Sequence, residues 1–153
     1  MRFLRWLLFG GWLPNAIVAD LVLTAVRIFT GLAMALAHGL GKVTAPTEEI
    51  AERAARLSFP MPTLFGWAAA LSEFVGGLLL ALGLLTRLSA FFILCTMTVA
   101  VYSHVVVRED PFRGYELALL FWFLCLQFLF IGSGRFGIDR FLRSDARPRV
   151  HHD

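Results

Sequence analysis

The stretch ALSEFVGGLLLALG, residues 70–83, decides the fold: fourteen residues with one ionisable side chain, Glu73, inside an otherwise apolar and glycine-rich run. An apolar run of about 20 residues is what a helix needs to cross roughly 30 Å of hydrocarbon. Extending this stretch in both directions gives such a run, over about 63–85. Similar blocks cover about 18–40, 88–107 and 114–133. The whole chain of 153 residues is 58% hydrophobic and only 16% charged, with a mean hydropathy of +0.72. Soluble domains are nearer 45–50% apolar and about 25% charged. The expected fold is therefore an all-α membrane protein, a four-transmembrane-helix bundle, because strands of this length would leave open edges in lipid. The connections leave no room for a second domain, so residues 1–153 read as one unit.

The basic balance, a formal charge of +3 and a pI near 9.4, is that of residues flanking membrane spans rather than of a nucleic-acid interface. Arg2, Arg5, Arg87, Arg135, Arg140, Arg143, Arg147 and Arg149 fall on one side, and Lys42, Arg53, Arg56, Arg108 and Arg113 on the other. The larger set predicts cytoplasmic termini, with 134–153 as a cytoplasmic tail. MRFLRWLLFGGWL (1–13) resembles a signal peptide in its basic start, but NAIVAD after it is a poor cleavage site. Residues 1–17 instead read as a short interfacial helix with Trp6 and Trp12 at the boundary.

The longest connection, VTAPTEEIAERAARLSFPMP (43–62), predicts a short amphipathic helix over the outer mouth of the bundle. Thr47 would cap it, and Ile50, Ala54 and Leu57 would form its apolar side. Pro60 and Pro62 would stop it before the second span.

Ionisable groups inside a bilayer cost roughly 2.5–3.5 kcal/mol each, so they face protein or water. Asp20, Thr24, Arg27, Gly31, Ala35, His38 and Lys42 recur every three or four residues and share one stripe of the first span. Gly66, Ala69, Ala70, Glu73, Gly76, Gly77 and Gly83 share a face of the second, where small residues permit close helix approach. Ile93, Met97, Ala100 and His104 do so in the third, and Glu116, Phe123 and Gln127 in the fourth. By depth, His38, His104 and Glu116 each lie roughly 10–12 Å from the bilayer centre on the outer side. They are expected to form one cluster, with Lys42 and Tyr115 just above. Glu73 falls near the centre and Arg27 about 6 Å deeper, within reach of two long side chains. Two readings of Glu73 stay open: a structural charge pair with Arg27, or the inner member of a proton or ligand pathway.

Other signals carry less. GSGRFG (132–137) matches a dinucleotide-binding spacing but follows a membrane helix, so its glycines are expected to end that helix. Cys95 and Cys125 read as small apolar residues, and the chain has no C-x-x-C. No metal site is assigned; His38, His104 and Glu116 could ligate a transition metal only if they converge. There is no flavin, haem or iron–sulfur motif.

The pattern resembles the DoxX family of small bacterial membrane proteins, through HGLGK (38–42), SFPMP (58–62), SEFVGGLLLALGLLTRLSA (72–90), GYELALL (114–120) and GSGRFGIDRF (132–141). The glutamate, paired glycines, apolar run and closing G-L-L-T-R are the most specific part. The resemblance covers about residues 22–142 and implies a four-helix bundle in the bacterial cytoplasmic membrane and a redox context. Relatives include the quinone-reducing membrane subunit of thiosulfate:quinone oxidoreductase, and a mycobacterial membrane partner of superoxide dismutase and a sulfurtransferase. The polar positions matched are His38, Lys42 and Glu73, with Arg27 and Glu116. The expected function is a quinone-interacting subunit of an oxidoreductase with Glu73, His38 and His104 as its catalytic set: Glu73 would relay protons, His38 and His104 with Glu116 and Tyr115 would offer hydrogen bonds to the headgroup, and Lys42 would be a further ligand-binding residue. A protein partner would supply electrons, and membrane lipid surrounds the chain. The alternative is a non-catalytic anchor, assembly partner or metal-handling protein in a stress-response system.

Overall fold

The structure, a computed structural model, describes residues 16–144; the interfacial helix expected over 1–17 falls almost wholly outside them, as does the end of the tail. Among the described residues every regular element is helical, and four helices are long and apolar enough to cross a membrane.

Helix α1, Ala16–Ala33, continues through a π-helical segment, Met34–Gly39, and a last α-turn, Leu40–Val43, into one span of 27 residues. Helix α2, Thr47–Ala55, is the amphipathic connection. Its buried residues are Ile50 and Ala54, as its pattern requires, but the capping position belongs to Pro46 and Thr47 makes no capping bond. Helix α3, Pro62–Leu82, starts at a proline, whose missing N–H is one a helix start leaves unpaired anyway. It ends at Gly83 in the left-handed conformation (φ 70°), three residues or so before the expected limit. Helix α4, Thr86–Tyr102, runs into a second π-helical segment, Ser103–Val107. Helix α5, Phe112–Ile131, lies between Pro111 and Gly132 (φ 82°), and a short helix α6, Ile138–Ser144, follows.

Helix α3 is the centre of the bundle, packed against α1, α2 and α4, while α5 packs chiefly on α4. The α1–α3 contact is antiparallel and backbone-close. A Cβ on Gly31 would lie 2.5 Å from the Gly77 carbonyl oxygen, and one on Gly39 would lie 2.4 Å from the Phe74 nitrogen. Small residues at 31, 35, 39 and 77 are what let two membrane helices meet at this distance. The rest of the core is apolar and bulky: Met34, Leu80, Ile93, Met97, Phe121 and Phe128, with Cys125 among them.

The polar stripes of the first three spans face the bundle as expected: Arg27, Gly31 and Ala35 are buried, as are Glu73, Gly76 and Gly77, and Ile93 and Met97. The fourth does not. Glu116, Phe123 and Gln127 are all exposed, and Phe121, Cys125 and Phe128 turn inward instead. The physical reason is that α5 meets α4 through large side chains filling space, so its polar residues do not mark its inner face.

Candidate functional site

Gly39 seats α1 on the backbone of Glu73 and Phe74, and Lys42 lies about one turn further on. Its Nζ donates to Glu73 Oε1 at 2.5 Å. The two ends of this pair differ in surroundings: Glu73 is 1% exposed and Lys42 33%. Glu73 Oε2 is buried and has no hydrogen-bond partner among the described residues.

That arrangement corrects the expected Arg27–Glu73 pair. Arg27 Nη1 donates instead to the carbonyls of Leu80 at 2.7 Å and Ala81 at 2.6 Å, in the last turn of α3. The Leu80 carbonyl also accepts from the capping Gly83 N–H, and the helix end carries partial negative charge, so a buried guanidinium there is favourably placed. The same end is closed by the motif after α5. Asp139 accepts from the backbone N–H groups of Leu85 (2.7 Å) and Thr86 (2.9 Å), and its own N–H donates to the Gly83 carbonyl. Leu85 sits at φ 49°, a strained conformation for leucine that these bonds hold. Arg87 Nη2 donates to the Phe130 carbonyl at 3.0 Å. The G-L-L-T-R and GSGRFGIDRF stretches are therefore two halves of one structural lock.

The Lys42–Glu73 pair borders a groove of about 700 Å³ walled by α2, α3 and α4, within the roughly 300–1,000 Å³ typical of small-molecule sites. Ser72 and Thr96 line it with hydroxyls 2.6 Å apart, and Cys95 lines it as a free thiol. His104 lines it too, with Nδ1 2.7 Å from Asp110 Oδ2. A carboxylate on Nδ1 leaves Nε2 as the imidazole's second exchange position. His38 and His104 both fall in π-helical segments, a feature frequent at functional sites.

The expected cluster of His38, His104 and Glu116 does not form. The His38 ring packs edge-on against Phe121, with centroids 5.4 Å apart, and is not part of the groove lining. Glu116 is exposed, and Tyr115 packs against Phe112. Neither lines the groove. Among the described residues no group of three or more His, Cys, Asp or Glu side chains is placed to hold a metal ion. Asp110, Ser72, Thr96 and Asp139 were not singled out in sequence. Asp110 stands six residues after His104 in the turn that reverses the chain, and this proximity was the one signal available for it.

A membrane bundle with one buried carboxylate–ammonium pair beside an amphipathic groove is the class that fold and site define. The chain belongs to the DoxX family, whose model matches residues 22–106. That match contains Arg27, His38, Lys42, Glu73 and His104 and stops before α5. An uncharacterized protein of Haemophilus influenzae is 41% identical over 76 residues, which is 46% of this chain and 57% of the relative. The chain thus spans little more than half the length of the curated relative it matches. No solved structure matches.

Proposed function

We propose that this DoxX protein is a quinone-interacting membrane subunit of an oxidoreductase, with the headgroup held beside Glu73. The observation that carries the reading is Glu73 Oε2, a buried carboxylate oxygen with no partner on the wall of an amphipathic groove. A buried polar atom left unpaired costs about 1–3 kcal/mol, and a hydroxyl of the reduced form, the quinol, donating to it would remove that penalty. A quinone supplies a two-electron, two-proton couple in a molecule soluble in the bilayer. The residues of this chain do the rest. Lys42 engages Glu73 through Oε1, leaving Oε2 free to face the headgroup. The hydroxyls of Ser72 and Thr96 offer further hydrogen bonds on the same wall, and Phe92 and Cys95, both exposed, give an apolar side for a tail. His104, paired with Asp110, is the group suited to exchange protons with water. His38, Glu116 and Tyr115, expected as partners of the headgroup, have no part in this arrangement. Electrons would come from a docked protein.

The test is quinone retention. Protein purified in mild detergent is expected to keep close to one quinone per chain, above an unrelated membrane bundle prepared in parallel, and Glu73→Gln to bring retention down to that control. Equal retention by wild type, Glu73→Gln and the control would sink the proposal and favour a scaffolding role for the charge pair.

A further inference from the structure

The groove has a second polar region that the quinone reading does not use. Its lining includes four cationic side chains, Lys42, Arg53, Arg56 and Arg108, against the one carboxylate of Glu73. The acidic residues of the same surface, Glu48, Glu49, Glu52, Glu109 and Asp110, do not line it. Two of the cations are engaged: Lys42 with Glu73, and Arg53 with Glu49 at 2.5 Å. Among the described residues the guanidinium groups of Arg56 and Arg108 have no hydrogen-bonded or ion-paired partner. Arg56 ends α2 and Arg108 ends the π-helical segment after α4, so both stand where the spans reach the membrane surface.

Below them the lining is mainly apolar, and of its polar groups His104 is bonded to Asp110 and the Ser72 and Thr96 hydroxyls to each other. Phe59 and Phe65 stack with ring centroids 4.7 Å apart, and Val99 and Ala100 continue the wall down to Phe92. From Arg108 to Phe92 along α4 is roughly 24 Å at 1.5 Å per residue, enough to pass the mid-plane of a hydrocarbon core about 30 Å thick. Unpaired cations at the surface end and an apolar channel directed into the bilayer complement a molecule with an anionic head and a hydrocarbon chain lying along the membrane normal. A guanidinium binds phosphate through two parallel hydrogen bonds, which ammonium groups do not reproduce.

We infer that Arg56 and Arg108 bind the phosphate of an anionic glycerophospholipid, one of whose acyl chains lies in the groove between α3 and α4. The site is distinct in its chemistry from the Glu73 end and is tested without quinone, so either assignment can fail alone. Because both amphiphiles would share the apolar wall, the lipid is a competitor that sets how far another ligand can enter.

The experiment is native mass spectrometry of the full chain, delipidated in mild detergent and titrated with phosphatidylglycerol or phosphatidylcholine. Phosphatidylglycerol is expected to bind with one-to-one stoichiometry and phosphatidylcholine weakly. Arg56→Gln and Arg108→Gln are each expected to weaken phosphatidylglycerol about fivefold, the factor for about 1 kcal/mol per basic residue at an anionic membrane surface. Arg56→Lys is expected to recover only part of the loss. Arg113→Gln, at an exposed arginine of the same end outside the groove, is expected to leave binding unchanged. The inference is overturned if Arg113→Gln weakens binding as much as Arg56→Gln, since surface charge alone would then explain it. It is also overturned if glycerol phosphate displaces the lipid at equal concentration, because the acyl chain would then contribute nothing. Thermal unfolding of each variant separates loss of the site from loss of the fold.

Discussion

The α1–α3 and α4–α5 contacts are built on opposite principles. The first brings two backbones together over Gly31, Ala35, Gly39 and Gly77 and flanks the seam with charged residues, Arg27 on one side and the Lys42–Glu73 pair on the other. The second packs large side chains, Phe121, Cys125 and Phe128 of α5, into one apolar cluster with Ile93 and Met97 of α4. In lipid, apolar surface has no reason of its own to leave its surroundings, so association rests on close packing and on polar bonds. The first contact combines a glycine seam with buried charged groups; the second combines large apolar side chains with hydrogen bonds at its margin, Trp122 Nε1 to the Thr98 hydroxyl and Arg87 to the Phe130 carbonyl. Charged residues therefore mark the inner face of α1 and α3, where a buried partner meets them, and not that of α5.

The largest expected effect is at the seam itself. Gly39→Ala would place a Cβ 2.4 Å from Phe74 N and 2.6 Å from Phe74 Cα, both backbone atoms of a buried helix that cannot rotate away. The two helices must separate, and thermal unfolding in detergent should show a loss of about 3 kcal/mol or more. A conservative change on the other contact, Phe121→Leu, should lose about 1 kcal/mol. Equal tolerance of both would remove the distinction between the contacts.

The charge pair sharpens the comparison because its members are unequal. Lys42→Met strands a carboxylate that is 1% exposed, whereas Glu73→Gln leaves a lysine that is 33% exposed and can turn to water. Removing one partner of a buried pair costs about 3–5 kcal/mol when the remaining charge stays buried. Lys42→Met should fall near the lower end of that range and Glu73→Gln near about 1 kcal/mol. Chemical denaturation of the two variants, compared at one pH, reads the difference. Matching losses would mean that Lys42 is held as firmly as Glu73.

The four spans were legible because hydropathy over 20 residues is set by the solvent, whatever the tertiary contacts. So were the inward stripes of α1, α3 and α4, where small or ionisable residues recur at helical spacing. The partner of Glu73 was not. Depth counted at 1.5 Å per residue puts Arg27 within reach, but register is fixed by the Gly39 contact, which brings Lys42 to Glu73 and leaves Arg27 at the end of α3. The π-helical segment at Met34–Gly39 adds to the error, since it re-phases the helix between Arg27 and Lys42. The groove was invisible for a related reason: its walls come from α2, α3 and α4, and the sequence pattern shows each helix's inner face but not the gaps between helices.

The smallest effect bears on the residue that sequence placed on the wrong side. Gln127 was expected to face the interior with Glu116 and Phe123, yet all three are exposed. An amide facing lipid gains nothing from the fold and carries unpaired polar atoms into hydrocarbon. Gln127→Leu should therefore leave stability within about 0.5 kcal/mol of wild type, or raise it. Thermal unfolding beside Cys125→Ser, which puts a hydroxyl into the buried apolar cluster of the same helix and should destabilise, fixes the scale. A loss of about 2 kcal/mol for Gln127→Leu would mean that the amide has a partner, that α5 is turned about its axis, and that polar residues mark the inner face of this helix after all.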